Sequence, residues 1–133
     1  MNEEKEYEIE EAIENAGNKE FMLEAIENNA TWVLAYANEK LLADRELILK
    51  AVQKDGQVFY YASSELRDDK EVVLTAIANK WLVLKYASKR LRSDIDVAKL
   101  ALEKSLKSAS YLTAEIKQNP EIQEILNPKP SEE

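Results

Sequence analysis

The sequence predicts an all-α fold, a right-handed α-solenoid of stacked short helix pairs, and three observations support this. The chain of 133 residues has only two glycines and three prolines, so few residues interrupt helices. Closely similar text recurs every 25 residues, as in ADRELILKAVQKDGQVFYYASSELRDD (43–69) and DDKEVVLTAIANKWLVLKYASKRLRSD (68–94). Each copy has apolar residues at helical spacing. A unit of this size cannot bury its apolar face alone, which favours stacking against its neighbours.

Four repeats are predicted from columns of equivalent residues, and they occupy 18–43, 44–68, 69–93 and 94–118. The columns are Tyr36, Tyr61, Tyr86 and Tyr111; Leu41, Leu66, Leu91 and Ile116; and Asp44, Asp69, Asp94 and Asn119. The first repeat carries one extra residue in its turn, NNATW. Because the tyrosines stand at a fixed interval beside alanines, we expect them in the core rather than on a base-stacking surface.

A capping helix is expected at each end of a single domain, 1–133. The acidic segment 1–17 is the N-terminal cap, in which Ile9, Ala12 and Ile13 form an apolar stripe and the outer face is polar. A closing helix spans 119–126, and 127–133 is a tail.

Within each repeat the first helix should begin at the Asp/Asn column, because these side chains accept a hydrogen bond from a free backbone N–H. Pro120 directly after Asn119 supports this, since proline is favoured at the first helical position. Turns are expected at NNAT, DGQ and NK, where Asn and Gly tolerate left-handed conformations. The second helix is predicted to run continuously through segments such as LVLKYASKRLR.

Composition argues against an enzyme. The chain lacks cysteine and histidine, which removes the usual thiolate nucleophile, the commonest general base and the commonest transition-metal ligand. It has no glycine-rich phosphate loop, and its acid pairs lie on polar helix faces. We therefore expect no catalytic residue, no cofactor and no metal. No apolar run approaches the roughly 20 residues that cross a bilayer, and the acidic N-terminus does not resemble a signal peptide, so the expected location is the cytoplasm.

Charge is segregated along the chain. Residues 1–30 carry ten acids and two lysines, whereas residues 80–117 carry nine basic and four acidic residues. Lys85, Lys89 and Arg92 fall on one face of the predicted continuous helix, with Lys80 and Arg90 nearby. Trp32, Tyr60 and Trp81 lie outside the repeated columns, so the fold alone does not require aromatic residues there. The predicted partner-binding residues are Tyr60, Trp81, Lys85, Lys89 and Arg92.

The first functional hypothesis is a non-enzymatic protein–protein interaction module, because solenoids present extended surfaces. An alternative is a nucleic-acid mimic: the acidic surface of Glu3, Glu6, Glu10 and Glu14 would occupy a basic groove on a DNA- or RNA-processing protein, as some viral inhibitors do. Direct nucleic-acid binding through 80–107 is disfavoured by the overall pI near 4.8. Self-association of the acidic end with the basic end is a further alternative.

The pattern D-x-E-V-V-L-x-A-[IV]…L-x-Y-A-S-x-x-L-R-x-D resembles the repeat of the family called domain of unknown function 4116. The clearest copies are 44–68 and 69–93, and more divergent ones extend the resemblance over 18–118. The fourth copy keeps Tyr111 but has Leu-Thr in place of Ala-Ser and lacks the Leu-Arg pair. The resemblance implies a tandem α-helical array and implies no activity.

Overall fold

The computed structural model describes residues 5–130, and this part of the chain contains helices and no strand. The α-helices are α1 (Ile9–Glu14), α2 (Lys19–Glu27), α3 (Glu39–Leu42), α4 (Arg45–Lys54), α5 (Ser64–Arg67), α6 (Lys70–Asn79), α7 (Ile95–Lys104), α8 (Ala114–Lys117) and α9 (Pro120–Leu126). The 3₁₀ helices are Thr31–Tyr36, Gly56–Tyr61, Trp81–Tyr86, Leu91–Ser93 and Leu106–Tyr111. The prediction of an all-α protein is thus confirmed for the described residues.

The elements recur in a fixed order of long α-helix, six-residue 3₁₀ helix and short helix, and we call each such set a unit. Four units follow one another from α2 to α8, and in the third the 3₁₀ helix Leu91–Ser93 replaces the short α-helix. Helix α2 packs against α4, α4 against α6, α6 against α7, and α7 against α9. Small side chains allow this close approach: at least one alanine in each of the four long helices is fully buried, among them Ala25, Ala51, Ala76 and Ala101.

The long helices begin where the Asp/Asn column predicts. The side chain of Asp69 accepts a hydrogen bond from the backbone N–H of Val72 (3.2 Å), and Asn119 accepts one from Glu121, with Pro120 opening α9. Asn18, Asp44 and Asp94 cap α2, α4 and α7 in the same way. These caps satisfy backbone donors that would otherwise lack partners at the helix start.

The predicted second helix is not continuous, and this expectation was wrong. Each unit has a 3₁₀ helix that ends at Tyr36, Tyr61, Tyr86 or Tyr111, and the next residue is extended, as at Ala87 (φ −70°, ψ 155°). A short helix then starts anew, at Glu39, Ser64, Leu91 or Ala114.

The break is explained by hydrogen bonds between units at the residue after the extended one. The N–H of Ser88 donates to the carbonyl oxygen of Arg67 in the preceding unit (3.0 Å), so it is not available to an intrahelical bond. The Ser88 hydroxyl accepts from the N–H of Leu91 (3.2 Å) and caps the helix that follows. Asn38, Ser63 and Thr113 make the same pair of bonds in their units. The Tyr-Ala-Ser sequence therefore forms a hydrogen-bonded connection between units rather than the interior of a helix.

The N-terminal helix is shorter than predicted. Residues 5–8 are not helical, and α1 begins at Ile9 after Glu8, whose backbone is extended. Residues 5–8 leave the predicted helix because Tyr7 packs edge-on against Phe21, with 5.7 Å between the ring centroids. The Tyr7 hydroxyl also accepts a hydrogen bond from the Asn28 side chain. Of the predicted apolar stripe only Ala12 is buried, whereas Ile9 and Ile13 are 52% and 56% exposed.

The helix caps also take part in ion pairs between units. Arg45, the first residue of α4, pairs with Asp69 (2.7 Å) and with Glu71 at the start of α6. Lys19 pairs in the same way with Asp44 and Glu46, and Lys70 pairs with Asp94 and Asp96. Each of the first three units thus contributes a cation toward the acids of the next, and we call this arrangement the ion-pair ladder.

The ladder lowers the pKa of the capping carboxyls. The hydrogen bond from Arg45 holds the pKa of Asp69 below its ordinary value. Burial alone would raise the pKa of Asp94, but the N–H of Val97 and the ammonium group of Lys70 outweigh burial and lower it. A carboxyl with a lowered pKa stabilises the fold above its unfolded pKa, and this contribution is lost as the pH falls through the folded pKa.

We therefore expect the ladder's contribution to the free energy of unfolding to fall as the pH drops below about 4, near the pKa of an unperturbed aspartate. Urea unfolding between about pH 3 and pH 7 should show a weaker loss of stability on acidification in Arg45→Gln than in the wild-type chain. Lys50→Gln, which removes an exposed cation of α4 outside the ladder, serves as the control. Equal pH dependence in Arg45→Gln and the wild type would contradict this role of the ladder.

Candidate functional site

One face of the molecule is built from the four six-residue 3₁₀ helices, and it carries most of the exposed large apolar side chains among the described residues. Each of these 3₁₀ helices contributes one such side chain: Trp32, Tyr60, Leu82 and Leu106. The helices contact one another in chain order, and each packs on the long α-helix of its own unit. We call the exposed side of these four helices the 3₁₀ face. Neighbouring apolar side chains on it belong to different units.

The geometry of the 3₁₀ helix explains why Trp32, Tyr60 and Leu82 are exposed. With three residues per turn, residues three apart lie on the same side. In the third unit Leu82 and Lys85 are exposed, whereas Val83 and Leu84 between them are buried. The same alternation holds for Gln57 and Tyr60 in the second unit.

Aromatic side chains connect the units across this face. The Tyr60 ring lies edge-on to Tyr61 of its own unit (5.3 Å) and to Tyr86 of the next unit (5.0 Å between centroids). The Lys85 ammonium lies 5.1 Å from the centre of the Tyr86 ring. Tyr60, at 55% exposure, and the cation of Lys85 therefore both contact the half-buried ring of Tyr86.

Trp32 separates two hollows at the other end of the face. One hollow, of about 230 Å³, lies between the first two 3₁₀ helices and is lined by Trp32, Asp55, Tyr60 and Tyr61 among others. The second, of about 360 Å³, lies toward the N-terminus and is lined by Trp32, Tyr7 and Asn28 among others. Both hollows are open and suit side chains of a partner better than an enclosed small molecule.

Positive charge is concentrated in one half of the 3₁₀ face. The first two 3₁₀ helices carry no lysine, and the exposed Lys54 before the second of them is followed directly by Asp55. The third and fourth carry Lys85 and Lys107, and Lys80 and Lys104 lie just before them. All four lysines are exposed, and none takes part in the ion pairs found among residues 5–130. This half of the face can attract an anionic partner without breaking an existing salt bridge.

Of the predicted partner-binding residues, Lys85, Lys89 and Arg92 do not share one continuous helix, because the helix ends at Tyr86 and Ala87 is extended. Tyr60 and Lys85 lie on the 3₁₀ face. Lys89 is exposed in the turn before Leu91, outside both neighbouring 3₁₀ helices. Trp81 is half-buried and packs against the core, and Arg92 is half-buried with its Nε–H donating to the carbonyl of Ala87 (3.2 Å). Trp81 and Arg92 are thus partly occupied by contacts within the molecule, whereas Tyr60 and Lys85 remain exposed.

Sequence reasoning missed Leu82 and Leu106. A signal for Leu82 was present, since it precedes Lys85 by three residues, and this spacing puts both on one side of either kind of helix. A large apolar residue beside an exposed lysine indicates a contact surface. Leu106 had no such signal, because the equivalent residues of the second and third units, Gly56 and Trp81, are buried and half-buried.

The predicted acidic surface is largely in place on α1 and the residues before it. Glu6, Glu10 and Glu14, with Glu8 and Glu11, line one shallow hollow of about 410 Å³. Glu3 lies outside the described residues. The exposed Ile9 and Ile13 belong to the same short helix, so this surface is both acidic and apolar.

Among the described residues, no group of three or more acidic side chains is arranged to hold a metal ion. Within the same range, no helix combines the length and apolar character that crossing a bilayer requires.

Comparison with known families matches most of the chain to one repeated domain, over residues 18–67 and 69–117. Each match spans two of the units described above. Searches of curated proteins and of solved structures returned no match. The chain therefore belongs to the family described as domain of unknown function DUF4116.

Proposed function

We propose that this chain is a non-enzymatic helical-repeat module that binds a protein partner through its 3₁₀ face. The observation that carries the proposal is the recurrence of one exposed large apolar side chain on each of four adjoining 3₁₀ helices. Large apolar side chains scattered singly are ordinary on protein surfaces, whereas several on adjoining elements with charged side chains nearby are typical of an interaction site.

The proposal includes an α-solenoid architecture with a period of 25 residues, repeats at 18–43, 44–68, 69–93 and 94–118, and capping helices at both ends. Packing supports it, since each long helix contacts the long helix of the next unit. Neighbouring units are also joined by the hydrogen bonds of the Tyr-Ala-Ser sequence and by the ion-pair ladder. Contacts restricted to neighbours are the defining property of a solenoid.

The partner's contact surface should combine apolar and acidic groups. Tyr60 and Leu82 offer apolar area near the centre of the face, and Lys85 offers a cation that no carboxylate within residues 5–130 neutralises. Aromatic anchors contribute most of the affinity at such surfaces, whereas a rim charge mainly raises the association rate.

We expect the triple variant Tyr60→Ser, Leu82→Ser, Lys85→Glu to lose its partner without losing its fold. Loss of one anchor of about 2 kcal/mol weakens binding about 30-fold, and the triple variant should exceed this. The measurement is affinity capture from a native lysate with each chain as bait, followed by titration of the retained protein. Circular dichroism checks the fold, which should persist because all three side chains are exposed.

Lys50→Glu is the matched control, because it reverses an equally exposed cation on α4 and leaves the 3₁₀ face intact. The proposal requires a protein that the wild type and Lys50→Glu both retain and that the triple variant does not. A retained protein with equal affinity for all three baits would contradict it.

The acidic surface supports a second candidate, a nucleic-acid mimic that occupies a basic groove of a DNA- or RNA-processing protein. The favouring observation is that five glutamates line one hollow around α1. Adding a bait with Glu3, Glu6, Glu10 and Glu14 changed to Gln to the same capture separates the candidates. A mimic loses its target in this bait and keeps it in the triple variant of the 3₁₀ face.

A further inference from the structure

We propose that the basic half of the 3₁₀ face binds the acidic helix α1 of a second copy of this chain, so that molecules associate head to tail. The inference rests on the proposed function of the 3₁₀ face and names its partner. It draws on two surfaces at different places in the fold, one on α1 and the other on the third and fourth 3₁₀ helices.

The first surface is the outer side of α1. Ile9 and Ile13 are four residues apart, so they lie one turn apart on the same side of the helix, and both are more than half exposed. Glu6, Glu10 and Glu14 are exposed, and the ion pairs among residues 5–130 include none of them. Within residues 5–130, nothing covers the exposed half of this apolar pair.

The second surface has the complementary composition. Leu82 and Leu106 are exposed, the latter at 59%, and they lie on 3₁₀ helices that contact each other. Lys80 and Lys85 flank Leu82, and Lys104 and Lys107 flank Leu106. Two leucines beside four lysines thus match two isoleucines beside three glutamates, and none of these seven charges forms an ion pair within residues 5–130.

Charge complementarity favours this occupant over a second 3₁₀ face, because two such faces would bring eight lysines together. Two copies of α1 would likewise bring their glutamates together. Like charges in contact oppose association, and opposite charges steer it. Since the two surfaces differ and lie apart in the fold, the contact is heterologous and generates rings or open chains.

The first test is sedimentation of the full chain over a range of concentrations and salt. At about 0.01 M salt, where the Debye length is about 30 Å, the wild type should form species larger than the monomer, and about 1 M salt should weaken them. Changing Ile9 and Ile13 to Ser, or separately Leu82 and Leu106 to Ser, should abolish association in each variant alone. Mixing the two variants should give a species of twice the 15.2 kDa monomer mass and nothing larger, since only one intact pair of surfaces remains.

A charge swap tests the same contact without removing apolar groups. Glu10→Lys with Glu14→Lys, and Lys85→Glu with Lys107→Glu, should each remain monomeric, and an equimolar mixture should regain association. A monomeric wild type at all concentrations overturns the inference, as does a mixture that stays monomeric while the wild type associates. If the wild type is monomeric and the triple variant at Tyr60, Leu82 and Lys85 still loses a captured protein, this inference is wrong but the proposed function is supported.

Discussion

Replacing Ser108 by valine should raise the free energy of unfolding by about 1–3 kcal/mol, the usual cost of a buried hydroxyl without a hydrogen bond. Ser108 is fully buried in the 3₁₀ helix Leu106–Tyr111, and its Oγ has no hydrogen-bond partner in the described part of the chain. The corresponding residues of the other units are Val33, Val58 and Val83, all buried. Valine therefore fits the position in three of the four units, and the fourth unit should accept it.

The reverse substitution, Val83→Ser, should lower the free energy of unfolding by about 2–4 kcal/mol, because it removes packing and buries an unpaired hydroxyl together. Ser110→Val, at an exposed serine of the same 3₁₀ helix as Ser108, is the matched control and should change stability by less than about 0.5 kcal/mol. Urea unfolding of the three variants measures all of these values. A loss of stability in Ser108→Val would show that the hydroxyl is satisfied by a buried water or that the site has no room.

The long helices and their caps could be predicted because their causes are local. An Asp or Asn side chain reaches an N–H two or three residues ahead, so Asp69 and Asn119 mark helix starts in the sequence itself. The turn at NNAT was also predictable, and Asn29 adopts the left-handed conformation there (φ 67°).

The break after each tyrosine could not be predicted from helical periodicity, because its cause lies in another unit. Without the carbonyl of Arg67, the N–H of Ser88 could equally well donate to a carbonyl within a continuous helix. The prediction of a continuous helix therefore misplaced the expected surface. A continuous helix puts Lys85, Lys89 and Arg92 in a row, whereas the 3₁₀ helix that carries Leu82 and Lys85 ends at Tyr86, before Lys89.

Gly56→Ala should destabilise the chain by about 1–3 kcal/mol, the typical cost of forcing an extra group into a packed site. Left-handed geometry, which the sequence suggested for the DGQ turn, is not the reason, because neither glycine among the described residues has a positive φ. Gly56 instead lies against the end of α6: a Cβ there would come within 2.8 Å of the Ala76 carbonyl oxygen and 3.1 Å of the Lys80 Cβ. Its N–H also donates to the Asn79 side chain (2.6 Å), which holds the two units together at this point.

Gly17→Ala isolates this effect from the change in the unfolded chain. Both substitutions reduce the freedom of the unfolded state, which alone would stabilise by up to about 1 kcal/mol. At Gly17 the new Cβ would meet only the end of the Asn38 side chain (2.9 Å), which can move, whereas at Gly56 it meets a backbone carbonyl fixed within α6. Gly17→Ala should therefore be neutral or slightly stabilising by urea unfolding, and Gly56→Ala clearly destabilising.

In Gly56→Ala the amide of residue 56 should also exchange its hydrogen faster, because the clash separates it from Asn79. Equal stability and equal exchange in Gly56→Ala and the wild type would mean that the second and third units do not approach as closely as the Gly56 contact requires.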